Sequence, residues 1–229
     1  MDSSESQTIV VTGFGLFRDH KSNPSWEAIR DGRLIIDRPN VKIVTKQIDV
    51  IYDEVDKSVQ DLWNEHRPML MVHLGLAAFE KSIRLERLAR HGPYIHDDIT
   101  QQAPHKELRL YPTDGDNKQA AGSLEENVRP HPYSCKPCSF KSTETRINIE
   151  RVCSSLNRLH ADGKVKIPFK CSDDAGLYLC EYIYQKSLRI NNRAIFIHVP
   201  NTGDVYTLDD ITVCIKHAIE FILDELNEI

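Results

Sequence analysis

Short runs of apolar, largely β-branched residues alternate along this chain with segments whose apolar residues recur at helical spacing. The runs occupy residues 7–13, 41–50, 68–76 and 193–199, and the helical spacing is clearest at 52–66 and 207–229. Continuous apolar runs of this length are typical of strands buried on both faces, which intervening helices connect in parallel. The alternation therefore predicts an α/β fold in which helices cover both faces of a largely parallel sheet.

The remaining segments complete this pattern. Strands are predicted at 83–89 and 164–170, and helices at 146–160 and from about 174 to 189. Asn23 and Pro24 mark the start of a further helix, since asparagine is a good N-cap and proline fits the first turn. Residues from about 92 to 142 are rich in Pro, Gly, Asn, His and Gln without periodicity, which predicts an irregular excursion. No linker divides the sequence, so we expect one domain over residues 1–229.

Composition and charge exclude several classes of protein. The chain is 40% hydrophobic and 28% charged, which excludes a disordered protein, and no apolar run approaches the ~20 residues that span a bilayer. The net charge of -5 argues against nucleic-acid partners, which usually require a basic face. The polar, acidic residues 1–7 lack the pattern of a signal peptide. We therefore expect a cytoplasmic protein with reduced cysteines and no membrane partner.

Cys180 follows a segment that should begin a helix. Residues 171–180 read CSDDAGLYLC, and the Ser-Asp-Asp sequence offers three suitable N-caps, so Cys180 should lie within two turns of the helix start. The free N–H groups and partial positive charge there favour a thiolate, which is the nucleophilic form of cysteine. Gly176, four residues earlier, would leave space for a substrate on the same helix face. Taken alone, the segment is also compatible with a cysteine packed in the core.

His198 and Glu86 could supply a base and the group that orients it. His198 interrupts an apolar strand at its carboxyl end, where the sites of such sheets gather. Glu86 lies in the strand-like segment IRLER and is the acidic residue best placed to serve as third member of a thiol hydrolase site. The alternatives are a satisfied core histidine and an exposed glutamate that pairs with Arg84 or Arg87.

Two further patterns allow more than one interpretation. Phe14 and Phe17 flank a glycine in TGFGLF, where they could fold onto the core or line a site. This segment lacks the glycine spacing and the lysine of a phosphate loop. Cys135 and Cys138 form a CxxC, which is half of a zinc site, but the chain has no second CxxC. We therefore expect no metal, although zinc binding and redox chemistry stay open as minor alternatives.

Five segments together resemble the pyroglutamyl-peptidase I family of cysteine peptidases. They are VVTGFGLF with NPS, VHLGL, IRLER, SDDAGLYLC and FIHVP, at residues 10–17 with 23–25, 72–76, 83–87, 172–180 and 196–200. The segments come in the order of the family and at similar spacing, and they cover most of the chain outside the excursion. The resemblance implies a three-layer α/β/α sandwich with a central, mostly parallel sheet, as in phosphorylases and hydrolases, and no cofactor.

The resemblance also implies roles for individual residues. Cys180 would be the nucleophile, His198 the base, and Glu86 the residue that orients the imidazole. The substrates would be peptides with an N-terminal pyroglutamate, which the enzyme would release through a thioester intermediate. The residues expected to hold the pyroglutamyl ring are Phe14, Phe17, Asn23, Gly75 and Leu76.

The middle of the chain departs from the family pattern. His91 stands five residues after Glu86, where the family usually carries asparagine, and an arginine-bearing loop of bacterial members has no counterpart. The excursion is also longer than in typical members. These departures leave open a catalytically weak or inactive homologue that binds pyroglutamyl peptides. A nucleoside phosphorylase on a similar sandwich is a third alternative, which the lack of a basic or glycine-rich phosphate cradle disfavours.

Overall fold

The computed structural model describes residues 6–17, 22–104 and 141–227. Its strands are β1 Gln7–Phe14, β2 Val41–Ile48, β3 Leu70–Leu76, β4 Ile83–Glu86, β5 Leu88–Arg90, β6 Ser142–Glu144, β7 Phe169–Ser172 and β8 Ala194–Val199. Its helices are α1 Pro24–Glu27, α2 Tyr52–His66, α3 Ile149–Ala161, α4 Leu179–Ile190 and α5 Leu208–Asn227. Within these described ranges, none of the helices has both the length and the apolar character needed to cross a bilayer.

Six of the strands form one sheet in the order β2-β1-β3-β8-β4-β7. Neighbouring strands in this sheet run parallel except β4 and β8, which are antiparallel. The short strands β5 and β6 pair separately as an antiparallel ribbon. The prediction of a largely parallel central sheet is therefore confirmed.

Helices cover both faces of the large sheet and complete a three-layer sandwich. On one face α1, α3 and α5 pack over alternate residues of the strands, among them Ile195 and Ile197 of β8. On the other face α2 and α4 pack over the intervening residues, among them Met71 and Phe196. Because side chains alternate along a strand, His198 lies on the same face as Phe196, beneath α4.

Helix α4 begins at Leu179, later than the predicted start near residue 174. The Asp174 carboxylate is used elsewhere, because it accepts from the Gly176 N–H and pairs with an arginine of β5. Gly176 has a φ of +83°, a conformation that glycine tolerates and that does not continue into a helix. Tyr178 is the N-cap, so Cys180 is the second helical residue and shares no helix face with Gly176.

Two predicted strands also differ from the structure. The single strand predicted at 83–89 is divided, because the chain leaves the large sheet after β4 and then pairs with β6. The strand predicted at 164–170 is β7 instead, which starts after Pro168. Proline has no N–H to donate to a ladder, and only the Pro168 carbonyl takes part, accepting from the first residue of β4 at 2.9 Å. The helix predicted at Asn23 is present but spans only four residues.

The predicted excursion is described in part. Tyr94 is buried, and the Asp98 carboxylate accepts from the N–H of the first residue of α2 at 3.1 Å. These contacts attach the start of the excursion to the helix layer. Residues 105–140, with Cys135 and Cys138, lie outside the described residues. The excursion as a whole, its CxxC and the single domain therefore stay predictions.

Candidate active site

Glu86 and His198 form a buried hydrogen-bonded pair in the large sheet. Glu86 Oε1 lies 2.7 Å from Nδ1 of the His198 imidazole, and both residues are almost completely buried. Their contact follows from the antiparallel register of β4 and β8, in which Glu86 lies opposite Phe196, two residues from His198 on the same face. A carboxylate can only accept, so Nδ1 carries the proton in this pair while the imidazole is neutral, and Nε2 keeps its lone pair.

Cys180 approaches the same place from the helix above the sheet. A Cβ built on Gly75 would lie 2.9 Å from the Cys180 sulfur, so the sulfur rests directly over Gly75. Gly75 is the neighbour of His198 in the pairing of β3 with β8. The three side chains predicted to act together therefore lie on one face of the sheet, near the carboxyl ends of β3 and β8.

Two features of the site oppose ionisation of the Cys180 thiol. Burial and the nearby Glu86 charge raise the pKa of Cys180 to about 12, an effect that the Arg84 charge partly offsets. Among the described residues no hydrogen bond joins the Cys180 sulfur to His198. The expectation that the helix N-terminus favours a thiolate stays a prediction, and burial and the Glu86 charge act against it.

Arg84 completes the polar cluster on this face. Its Nη2 lies 3.3 Å from His198 Nδ1, and its Nε lies 3.3 Å from Glu86 Oε1. Glu86 Oε2 and Arg84 Nε are buried and lack hydrogen-bond partners within the described ranges. The guanidinium thus compensates the charge of a carboxylate that is only partly satisfied by hydrogen bonds. The sequence indicated Arg84 only in the alternative in which an exposed Glu86 pairs with Arg84 or Arg87. That alternative is wrong about exposure, because Glu86 is buried.

An aromatic recess opens beside the Cys180 sulfur. The cavity holds about 500 Å³ and is lined by Phe14, Phe17, Asn23, Val50, Leu76, Ala78, Phe79, Tyr178, Leu179, Cys180 and Asn201. The rings of Phe17 and Tyr178 lie 5.7 Å apart, between centroids. Four of the five residues predicted to bind the ring therefore line this recess. Gly75 does not line it, and its place is below the sulfur.

Asn23 lines the recess, and most hydrogen-bonding positions of its side-chain amide are occupied by groups of the same chain. Its Nδ2 donates to the Gly15 carbonyl at 2.9 Å, and its Oδ1 accepts from both the N–H and the hydroxyl of Ser25. These bonds fix the turn after β1, and with it the ring of Phe14, whose N–H donates to the Ser25 hydroxyl. One N–H of the Asn23 amide is left for a ligand.

Several lining residues were not predicted from the sequence. Tyr178 lies in the segment 171–180, which the sequence analysis considered only for Cys180 and its helix start. Phe79 and Asn201 lie in loops that follow β3 and β8. Loops at the carboxyl ends of strands are the usual place for such residues, and this is the signal that could have found them. His91, the departure from the family pattern, is not a lining residue: its Nε2 bonds the Thr143 hydroxyl at 2.8 Å and joins β5 to β6.

Comparisons with known proteins agree with this description. A sequence model of the pyroglutamyl peptidase family matches residues 7–104. Pyroglutamyl-peptidase 1 of Homo sapiens is 29% identical over 223 residues, which are 97% of this chain and 92% of the relative. Pyrrolidone-carboxylate peptidase of Pyrococcus furiosus is 27% identical over 203 residues, 84% of this chain and 80% of the relative.

The solved structures agree on the fold. Pyrrolidone carboxyl peptidase from Thermococcus litoralis superposes with a TM-score of 0.71 at 21% identity. The superposition covers 97% of this chain and 96% of the peptidase chain. Pyroglutamyl peptidase I from Bacillus amyloliquefaciens gives a TM-score of 0.68 at 20% identity, and the superposition covers 96% of this chain and 95% of that peptidase. By fold, the protein is a three-layer α/β/α sandwich with a mostly parallel sheet, the fold of these solved peptidases. In sequence, the chain is similar to pyroglutamyl peptidases along most of its length.

Proposed function

We propose that this protein is an omega-peptidase that hydrolyses the bond after an N-terminal pyroglutamyl residue, with Cys180 as nucleophile, His198 as base and Glu86 as the orienting carboxylate. The observation that carries the proposal is the Glu86–His198 contact of 2.7 Å beside a sulfur that rests over Gly75, at the edge of an aromatic recess. The names of its relatives support the substrate class, since they are pyroglutamyl and pyrrolidone-carboxylate peptidases.

The chemistry of the recess suits a pyroglutamyl ring. This ring is a lactam with no ionisable amine, so it needs apolar walls and a few donors and acceptors rather than a carboxylate. Phe14, Phe17 and Tyr178 supply the walls, and the amides of Asn23 and Asn201 supply polar groups. A charged free N-terminus would lose its hydration in such a recess without compensation. The recess therefore selects against ordinary peptides.

The reaction proceeds in two halves. In the first half, His198 Nε2 takes the proton of the Cys180 thiol while the sulfur attacks the pyroglutamyl carbonyl, because the raised pKa of this thiol leaves it neutral until then. Glu86 stabilises the imidazolium that forms, which returns the proton to the departing amine and leaves a thioester. In the second half, water attacks the thioester with His198 again as base, and free pyroglutamate and the thiol are released.

Backbone N–H groups at the start of α4 stabilise the oxyanion in both halves. Leu179, Cys180 and Glu181 are the first three helical residues, so their N–H groups have no acceptor within the helix. Removing one donor of an oxyanion hole typically costs about 3 kcal/mol of transition-state stabilisation. These free donors belong to Cys180 and to its two neighbours in sequence, which supports their role as the oxyanion hole.

The test uses a fluorogenic pyroglutamyl amide and a pair of matched cysteine variants. Cys180→Ser and Cys180→Ala should lower kcat at least about 10³-fold, since either substitution removes the nucleophile. Cys171→Ser is the control, because Cys171 is an exposed free cysteine outside the site, and its rate should stay unchanged. Turnover by a folded Cys180→Ala variant would exclude the mechanism, and tight binding of the amide without release would favour an inactive binding homologue.

A cytoplasmic location is part of the same proposal. It is supported by Cys153, Cys171, Cys180 and Cys214, which are free thiols, as expected in a reducing compartment. Immunofluorescence of the tagged protein with compartment markers tests the location, and a signal confined to a secretory compartment would refute it.

A further inference from the structure

Arg84 is a basic residue that contacts both Glu86 and His198, and the proposed mechanism gives it no role. On β4 it lies opposite His198 in the antiparallel register. Its guanidinium contacts both members of the buried pair, at 3.3 Å from His198 Nδ1 and 3.3 Å from Glu86 Oε1. Its side chain is 24% exposed, whereas the Glu86 side chain is completely buried. Arg84 does not line the recess, so its effect reaches a substrate through other residues.

The charge of Glu86 creates a conflict that Arg84 relieves. The carboxylate is needed to hold the Nδ1–H of His198, but the same negative charge opposes a thiolate at Cys180. The positive charge of Arg84 acts on the sulfur in the opposite direction. The guanidinium therefore lets the site keep its orienting carboxylate while the cost of ionising the sulfur stays lower.

Further contacts of Arg84 hold this arrangement in place. Its Nη2 donates to the Asp174 carbonyl at 3.4 Å, in the loop that precedes α4, and its Nη1 lies 3.6 Å from Glu80 Oε1. Glu181 on α4 is the other charged group that acts on the Cys180 sulfur. Arg84 thus links the strand of the carboxylate to the loop that leads to the nucleophile.

We propose that Arg84 is a positioning residue of this site, whose guanidinium holds the Glu86 carboxylate against His198 and offsets the charge of that carboxylate at the Cys180 sulfur. The inference rests on the proposed function for its catalytic meaning. Its electrostatic part concerns the thiol alone and is tested without any substrate.

The first test measures how fast iodoacetamide alkylates Cys180 between about pH 7 and 9, followed by peptide mass spectrometry. Arg84→Met should slow this alkylation about three- to tenfold, because less of the sulfur is thiolate. Glu86→Gln should speed it by a similar factor. Loosening of the structure would instead expose the sulfur and speed alkylation in both variants, so the opposite signs separate electrostatics from damage.

Three controls make the test decisive. Arg84→Lys keeps the charge and should recover most of the alkylation rate. Arg38→Met is matched in exposure, since Arg38 is 27% exposed and pairs with Asp224 at 2.8 Å on α5, away from the site, and should leave Cys180 alkylation unchanged. Cys214 is completely buried and should stay unmodified in every folded variant. Unchanged or faster alkylation of Cys180 in folded Arg84→Met would overturn the inference.

The second test uses the pyroglutamyl amide. Arg84→Met should lower kcat about tenfold or more while KM changes less than twofold, because Arg84 acts on the reacting groups and does not line the recess. A raised KM with unchanged kcat would contradict a positioning role. If the wild-type protein does not cleave the amide, the proposed function fails, whereas the alkylation series still decides whether Arg84 sets the charge at the sulfur.

Discussion

Gly75→Ala is the smallest change that should disable this site while the fold persists. A Cβ at Gly75 would lie 2.6 Å from Cζ and 3.0 Å from Cε1 of the Phe196 ring, and 2.9 Å from the Cys180 sulfur. Ordinary contacts between such atoms begin near about 3.5 Å, so the ring must move by about 0.9 Å and the sulfur by about 0.6 Å. Phe196 is completely buried, so the ring has little freedom, whereas the sulfur is at the edge of a recess and can be displaced.

The expected losses follow from these displacements. Overpacking of this kind costs about 1–3 kcal/mol of the free energy of unfolding, most of it from the Phe196 ring. A misplacement of the sulfur by a large part of an ångström should reduce kcat/KM about tenfold to a hundredfold. The assay is cleavage of the pyroglutamyl amide at substrate concentrations far below KM, together with urea denaturation followed by circular dichroism.

Two further variants separate activity from stability. Gly203→Ala is the control, because a Cβ at Gly203 would meet nothing within 4 Å, and both properties should change little. In a Phe196→Leu background, Gly75→Ala should cost about 1 kcal/mol less stability than in the wild type, since the ring contacts are gone. The fall in kcat/KM should persist there, because the contact with the sulfur remains. A folded Gly75→Ala protein with wild-type kcat/KM would refute this account of how the sulfur is seated.

Two other predictions concern buried charged and titratable groups. The His73 imidazole forms hydrogen bonds with the hydroxyls of Thr12 and Ser187, and burial lowers its pKa to about 3 from 6.5. As the pH falls, this imidazole is therefore protonated in the unfolded chain at a higher pH than in the folded protein. The free energy of unfolding of the wild type should therefore fall between pH 7 and 5, and in His73→Gln this fall should be smaller by about 2 kcal/mol. Urea denaturation at both pH values measures the difference, and an equal fall in the two proteins would contradict the prediction. Arg90→Met should cost about 3–5 kcal/mol of stability, because it leaves the completely buried Glu181 carboxylate without its 2.9 Å partner. Adding Glu181→Gln should restore most of that loss in the same assay, and a double variant no more stable than Arg90→Met would show that the pair is not the cause.

Local patterns were sufficient to predict most elements of the fold. The helix predicted at 52–66 matches α2, because its apolar residues recur at helical spacing and form its buried face. The start of α4 was missed because its apparent caps have stronger partners elsewhere. Asp174 pairs with Arg90 across 84 residues of sequence, and no local rule indicates such a contact. Tertiary ion pairs thus overrode the capping preference.

The residues of the site were easier to predict than their arrangement. Cys180, His198 and Glu86 are unusual residue types in their segments, and the family resemblance assigned them roles. Their contacts depend on strand register, which is a long-range property. Ile83 and Leu85 lie in the core, which places Glu86 on the other face of β4, but the sequence does not show which strand that face meets.

The strand register arranges two rows of residues across the sheet. These rows explain which residues contact the Cys180 sulfur and which contact the His198 imidazole. One row runs from Gly75 on β3 through His198 on β8 to Arg84 on β4, and the row below it runs from His73 through Phe196 to Glu86. The upper row has its smallest residue, Gly75, where the Cys180 sulfur approaches the sheet, and its cation, Arg84, on the opposite side of the imidazole. The carboxylate reaches the imidazole from the lower row, so it can bind Nδ1 and leave Nε2 for the proton transfer that we propose. Substitutions at the two ends of the upper row should therefore act differently, through displacement of the sulfur at Gly75 and through charge at Arg84.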